Sequence, residues 1–196
     1  MRNHLLFLTS LFFLISCSSI PIKSLYQLSK VNLRTINPKV IAVAIKVPEH
    51  LKVRKLSLEL SHTPEGETVK PLKFSLIKYD GSKEYKKYQE SGYSISSYKL
   101  SEQDVVKLIN YRQKEFISQN NKNKKYTTKV SVAYKGLCRT RKSNKKSVLL
   151  SILLKTNNTS NFFPLVQKMD LRAEASKKGL KVGKEVVKEL CPSDLL

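Results

Sequence analysis

Apolar residues alternate with polar or small ones in several stretches of this chain, at the two-residue period of strands. Ile41, Val43, Ile45 and Val47 share one side of the run from Lys39, and Pro48 ends it. Leu56, Leu58, Leu60 and His62 alternate with Lys55, Ser57, Glu59 and Ser61, giving a second strand with one wet face that stops at Thr63-Pro64-Glu65-Gly66. Leu72, Phe74 and Leu76 make a third such face, followed by a turn at Tyr79-Asp80-Gly81-Ser82. From Lys83 onward lysine, tyrosine and serine mix without period, which predicts an irregular connection and then a short strand near Tyr93 to Lys99.

The period then changes. Ser101 and Asp104 have the spacing of a capping box, and Val105, Leu108, Ile109 and Phe116 behind them fall on one helical stripe. Arg112 interrupts the stripe, although its long stem can still pack. The helix should fade by Asn120 to Asn123. Beyond it Tyr126, Thr128, Val130, Val132 and Tyr134 alternate with polar or small neighbours, and Val148 to Leu154 (VLLSILL) is apolar almost throughout, as a central strand is. These two are expected to form a hairpin. Phe163, Leu165, Met169 and Leu171 line one side of a further strand, which Pro164 assigns to an edge. Val182, Val186, Val187 and Leu190 suit a short helix ended by Pro192, with Cys191 in its last turn. Strands and helices in this order predict an α+β fold, a mainly antiparallel sheet of about six or seven strands with two helices.

The first residues follow another pattern. Arg2 precedes an apolar run from Leu5 to Ile15, too short to span a bilayer, and Ser16-Cys17-Ser18-Ser19 follows it. Leu14, Ile15, Ser16 and Cys17 resemble the bacterial lipobox: an aliphatic residue, a tolerant position, a small residue, then cysteine. The resemblance covers residues 1–19 alone, and no family is recognised for the folded part. It implies a signal peptide over residues 1–16, cleavage before Cys17, a diacylglycerol thioether on the Cys17 sulfur and acylation of its freed amine. Ser18 stands where an aspartate holds many such proteins at the inner membrane, so the resemblance favours the outer membrane, with the body facing the periplasm. Residues 17–30 are then a lipidated cysteine and tether, and 31–196 a single domain.

That placement changes how the composition reads. The chain has 37 Lys and Arg against 15 Asp and Glu, a net charge of +22 that falls by one to +21 when Arg2 leaves with the signal. Such an excess ordinarily points to nucleic acid. Export removes that partner and leaves anionic lipid, phosphorylated glycolipid, anionic cell-wall polymer or an acidic envelope protein, attracted by the summed field. A solvated basic surface with no binding role is the plain alternative. Once Cys17 carries lipid, only Cys138 and Cys191 remain, and an even pair in an oxidising compartment predicts one disulfide. Closing a loop of roughly fifty residues would stabilise the fold by about 4 kcal/mol in the chain-entropy account.

Little else in the chain carries chemistry. His50 and His62 lie in no metal-spaced cluster, and there is no nucleophile elbow, phosphate-cradling glycine loop or zinc-protease helix. Glu65 with Glu67, and Asp170 with Glu174, are close in sequence, but isolated acids in so basic a chain more often pair with lysine. Tyr79, Tyr85, Tyr88, Tyr93 and Tyr98 are interleaved with lysine and read as sheet packing or as a contact surface. The densest basic stretch runs from Arg139 to Lys146, where Arg139, Arg141, Lys142, Lys145 and Lys146 form a candidate anion-binding cluster at the tip of the expected hairpin. Lys122, Lys124 and Lys125 open the same hairpin and belong at its other end.

The sequence therefore points to a non-enzymatic envelope lipoprotein with a binding or structural role, needing no metal or cofactor. An envelope hydrolase with a site dispersed along the chain and an accessory subunit of a secretion or surface assembly remain the alternatives. Replacing Cys17 by alanine should abolish acylation and move the protein from the membrane to the soluble fraction, as read by the mass of the mature chain and by cell fractionation.

Overall fold

The computed structural model describes residues 21–33, 35–117, 126–140, 148–156, 161–177 and 190–192. They form an α+β structure with two antiparallel sheets, of five and three strands. The elements are α1 (Ile22–Ser29), β1 (Ala42–Pro48), β2 (Leu51–Pro64), β3 (Leu72–Ser75), β4 (Ile77–Tyr79), β5 (Tyr93–Lys99), α2 (Glu102–Ile117), β6 (Tyr126–Arg139), β7 (Leu149–Lys155), β8 (Phe163–Asp170) and α3 (Leu171–Lys177). The larger sheet runs β4-β5-β1-β7-β8 and the smaller β3-β2-β6.

The period-2 patterns explain the strands. In β1, Val43, Ile45 and Val47 face a large buried cluster that also takes in Leu150, Ile152 and Leu154 of β7, Leu56, Leu58 and Leu60 of β2, and Phe74 of β3. Ala42 and Ala44, on the other face, are also buried, against Tyr85, Leu153 and Phe162. Small side chains fit there because those rings stand directly over the strand. The apolar run in β7 has the same cause, since it lies between β1 and β8 with both faces covered.

β2 is longer than its sequence pattern. Its buried positions run Leu51, Val53 and then Leu56, Leu58, Leu60, so the inward face changes phase at Arg54 and Lys55. Opposite this point lies Gly136, whose φ of +71° a side chain would strain, and a Cβ there would meet the Arg54 stem at 3.0 Å.

Four links carry the chain from sheet to sheet: Glu49–His50 after β1, Leu76 between β3 and β4, residues 100–125 with α2 between β5 and β6, and residues 140–148 between β6 and β7. The last corrects the expected hairpin. β6 pairs with β2 along Leu51–Pro64, and β7 pairs with β1 and β8. A half-wet strand suits the margin of a small sheet, whereas VLLSILL needs neighbours on both sides. The α+β fold with mainly antiparallel strands is as expected; among the described residues eight strands lie in two sheets, and β8 lies at an edge, as Pro164 requires.

Helix α2 rests on the shared core through Val105 and Leu108. Ile109, expected on the same stripe, is exposed. Arg112 explains the interrupted stripe: its Nη1 donates to the Ile36 carbonyl at 2.8 Å, fixing the loop before β1. The cap is half of the expected box. The Asp104 amide donates to Ser101 Oγ at 3.1 Å, but the Ser101 hydroxyl itself, and not its amide, reaches back to the Asp104 carboxylate at 3.0 Å.

Two further differences concern the chain ends. The expected tether contains α1, whose Ser24 is buried and whose Leu28 packs on the core. The helix expected over Val182 to Leu190 lies outside the described residues except at Leu190, which instead forms a parallel bridge with Arg139. Helix α3, directly after β8, was not evident from the sequence.

Phe74 is wholly buried between the sheets although β3 is short. Phe74→Ala should cost about 3–5 kcal/mol in urea unfolding, whereas Val106→Ala on the exposed side of α2 should stay within about 0.5 kcal/mol.

Candidate functional site

The outer face of the larger sheet carries a polar cleft. It begins where the small residues of β1 give way to Lys46, which pairs in register with Ser151 of β7. Beyond Ser151, β8 bulges: Leu150 faces Met169 and Ile152 faces Val166, so Gln167 and Lys168 together oppose Ser151. Lys168 adopts φ of +51°, in the left-handed region that non-glycine residues rarely enter, and its amide donates to Ser151 Oγ at 2.9 Å. The bulge turns Gln167 and Lys168 into the lining of a cavity of about 270 Å³.

The loop before β5 closes the other side with Lys87, Tyr88, Gln89 and Glu90. Tyr88 is fixed by its hydroxyl, which donates to the Phe162 carbonyl at 2.7 Å. Lys87 Nζ stands 5.0 Å from the centre of the Tyr88 ring. Lys46 Nζ donates to Glu90 Oε2 at 2.6 Å and lies 5.0 Å from the Tyr93 ring centre. That bond, and then the charge of Lys46, hold the Glu90 carboxyl below its usual range, with Lys168 adding to the effect. Among the described residues the lining thus holds three lysines and one carboxylate, and neither histidine nor cysteine.

A second pocket, of about 320 Å³, adjoins the first through Lys87, Tyr88 and Pro164. Lys23, Ser24 and Gln27 of α1 line its far wall, with Phe162 and Phe163 between. The buried Ser24 hydroxyl has no hydrogen-bond partner among the described residues.

The sequence-predicted residues are distributed elsewhere. Cys138 and Cys191 form a disulfide with Cα atoms 4.8 Å apart across a separation of 53 residues. The Cys191 amide donates to the Arg139 carbonyl at 2.9 Å, so the bond joins the end of β6 to an extended segment and not to a last helical turn. Arg139 lies beside it at the end of the smaller sheet. Arg141, Lys142, Lys145 and Lys146, like Cys17 and Lys122, Lys124 and Lys125, lie outside the described residues.

His50 is buried, and its carbonyl accepts from the Thr140 amide at 2.8 Å. His62 has Nδ1 2.9 Å from Thr128 Oγ1, and its ring stacks on Tyr126. Among the described residues no three His, Cys, Asp or Glu side chains gather as metal ligands would. Asp170 accepts from the Arg172 amide, and Glu65 and Glu67 are exposed in the turn after β2.

The chain matches no family model, no curated protein and no solved structure. Its site is therefore read from geometry.

The interleaved tyrosines divide by face. Tyr98 enters the core between the sheets, while Tyr79, Tyr85 and Tyr88 cover the outer face of the larger sheet. The cleft itself had one signal in the sequence, Lys46 at the alternate position after Ala42 and Ala44. Its closure by Lys87, Glu90 and Lys168 had none.

Burial is the first cause raising the Tyr79, Tyr85, Tyr98 and Tyr134 phenols above the ordinary value near ~10. At Tyr79 the nearby Glu84, which accepts from the hydroxyl at 3.1 Å, adds to it. Each ring is held neutral in the fold beyond the pH at which it ionises unfolded. Its stabilisation is complete below about pH 10 and is lost as pH rises through the higher folded value. Urea midpoints should accordingly fall above about pH 10, and less steeply in Tyr79→Phe, which keeps the ring and removes the ionisable hydroxyl.

Proposed function

We propose that this chain is an envelope lipoprotein, held in the outer membrane through acylated Cys17, whose periplasm-facing body binds anionic groups without catalysing a reaction. The convergence of Lys46, Lys87 and Lys168 on one cleft is the observation that carries the binding role. Lysine ammonium groups act as point charges toward phosphate, and the side-chain amides of Gln89 and Gln167 add neutral donors. An entering anion would compete with Glu90 for Lys46 while gaining Lys87 and Lys168. The Cys138–Cys191 disulfide supports folding in an oxidising compartment, where the lipobox would send the chain. The partner class is a phosphate-bearing lipid, glycolipid or cell-wall polymer.

A second reading, a subunit of an envelope assembly, is favoured by β6. Among the described residues this 14-residue strand pairs with β2 on one side, and on the other meets a lone bridge from Leu190 at its end. An open edge of that length can take a strand from another protein.

Replacing Lys87 and Lys168 by glutamine in the unacylated Cys17→Ala protein should weaken salt-sensitive binding to phosphatidylglycerol vesicles by about tenfold or more, at roughly 1 kcal/mol per lysine near such a surface. Glutamine at Lys39 and Lys78 removes the same charge away from the cleft and should have a smaller effect. Equal losses in the two pairs would overturn the cleft in favour of net charge. Serine at Arg139, Arg141, Lys142, Lys145 and Lys146 tests the competing cluster, and a larger loss there would relocate the site. Crosslinking from β6 in intact cells decides the second reading: a protein captured along Thr127 to Ala133 supports it.

A further inference from the structure

Helix α1 is turned inside out. An ordinary surface helix directs its apolar stripe inward, yet Ile22, Leu25 and Tyr26, one helical face by their spacing, are 85%, 52% and 61% exposed. The inward side carries Ser24, at 1% exposure, together with the partly buried Leu28. Lys23 and Lys30 are exposed at the two ends, and Lys30 Nζ lies 4.1 Å from the centre of the Tyr26 ring.

The covalent chain says what covers this face. Cys17 is five residues before Ile22. A residue spans at most about 3.6 Å, so Ile22 stands no more than roughly 18 Å from the acylated residue. The whole helix, at about 1.5 Å per residue, is only about 12 Å long. A helix tethered so closely to inserted acyl chains has the bilayer surface as its nearest apolar phase.

We infer that α1 is an interfacial helix, lying along the membrane with Ile22, Leu25 and Tyr26 in the boundary between headgroups and acyl chains. The inference rests on the lipoprotein reading of Cys17. The aliphatic residues enter the boundary, the tyrosine presents a ring with a polar tip, and the lysines reach anionic headgroups. Acyl chains alone would hold the body on a swivel, and a docked helix gives it one orientation. The inner side of α1 shares a pocket with Lys87, Tyr88 and Pro164, which border the lysine cleft.

The chain contains no tryptophan, so Tyr26→Trp introduces a single fluorophore at an exposed position. The acylated protein, with Cys17 modification verified by mass, is reconstituted into phosphatidylglycerol–phosphatidylcholine vesicles with and without brominated acyl chains. The expected result is a blue-shifted emission quenched by the bromolipid. Val106→Trp, on the exposed side of α2, should remain unshifted and unquenched. Adding Ile22→Asp and Leu25→Asp to Tyr26→Trp, all at exposed positions, should abolish the shift while the acyl chains keep the protein on the vesicle. Emission as in water from vesicle-bound Tyr26→Trp overturns the inference and leaves the lipid anchor standing. A blue shift without bromolipid quenching assigns the face to a second copy of the chain and also overturns it. Absence of acyl mass on Cys17 is a different failure, which removes the lipoprotein reading and the reach argument with it.

Discussion

A strand with Val43, Ile45 and Val47 on one face and Ala42 and Ala44 on the other has to be covered twice, and the covering of β1 and its neighbour β7 organises the whole structure. The inner faces are covered by the smaller sheet and α2, which draws Leu56, Leu58, Leu60, Phe74 and Leu108 into one apolar layer. The outer faces are covered by rings, Tyr85 and Phe162 above all, carried on connecting segments and not on a third sheet. Apolar burial at about 25 cal/mol per Å² drives both coverings.

The polar cleft is a consequence of where the second covering stops. Alanine at positions 42 and 44 admits rings overhead; Lys46, the next residue on that face, does not. Its stem follows the sheet while its ammonium reaches Glu90 on the covering loop. On the far side the bulge in β8 replaces regular pairing with Gln167 and Lys168, at the cost of a left-handed lysine backbone. Close-packed apolar cover and a wet, basic mouth thus lie on one face of the same sheet, and α1 packs beside them.

The disulfide acts on a different part of the molecule. It ties the segment holding Cys191 to the end of β6, where the Arg139 carbonyl and a bridge from Leu190 complete the junction. Cys138 is buried while its neighbour Arg139 is partly exposed, so the basic stretch that follows starts from a cross-linked strand end. The positive charge gathered by the cleft lies on the larger sheet, and Arg139 stands at the end of the smaller one.

Local pattern was enough to identify most strands, because alternation, Pro48, Pro64 and Pro164 act within a few residues of their own position. β1, β5, β8 and the start of α2 were legible for that reason, as was the pairing of Cys138 with Cys191, the two cysteines left once Cys17 is assigned to lipid. Partnership was not legible. β6 and β7 are consecutive and each reads as a good strand, yet they lie in different sheets, since the choice depends on whether one face or both must be buried. Likewise nothing in the tether expected over residues 17–30 states that a helix forms there with Ser24 facing in and Ile22 facing out, since no pattern within eight residues says what lies on either side. The amino-acid sequence by itself determined the α+β composition, the basic charge, the resemblance to a lipobox at Cys17 and the single disulfide, all properties of residue type and short spacing. Only the tertiary structure decided that Lys46, Lys87, Glu90 and Lys168 meet and that α1 shows its apolar side to the exterior, because those placements follow from the closing of two sheets over a common core.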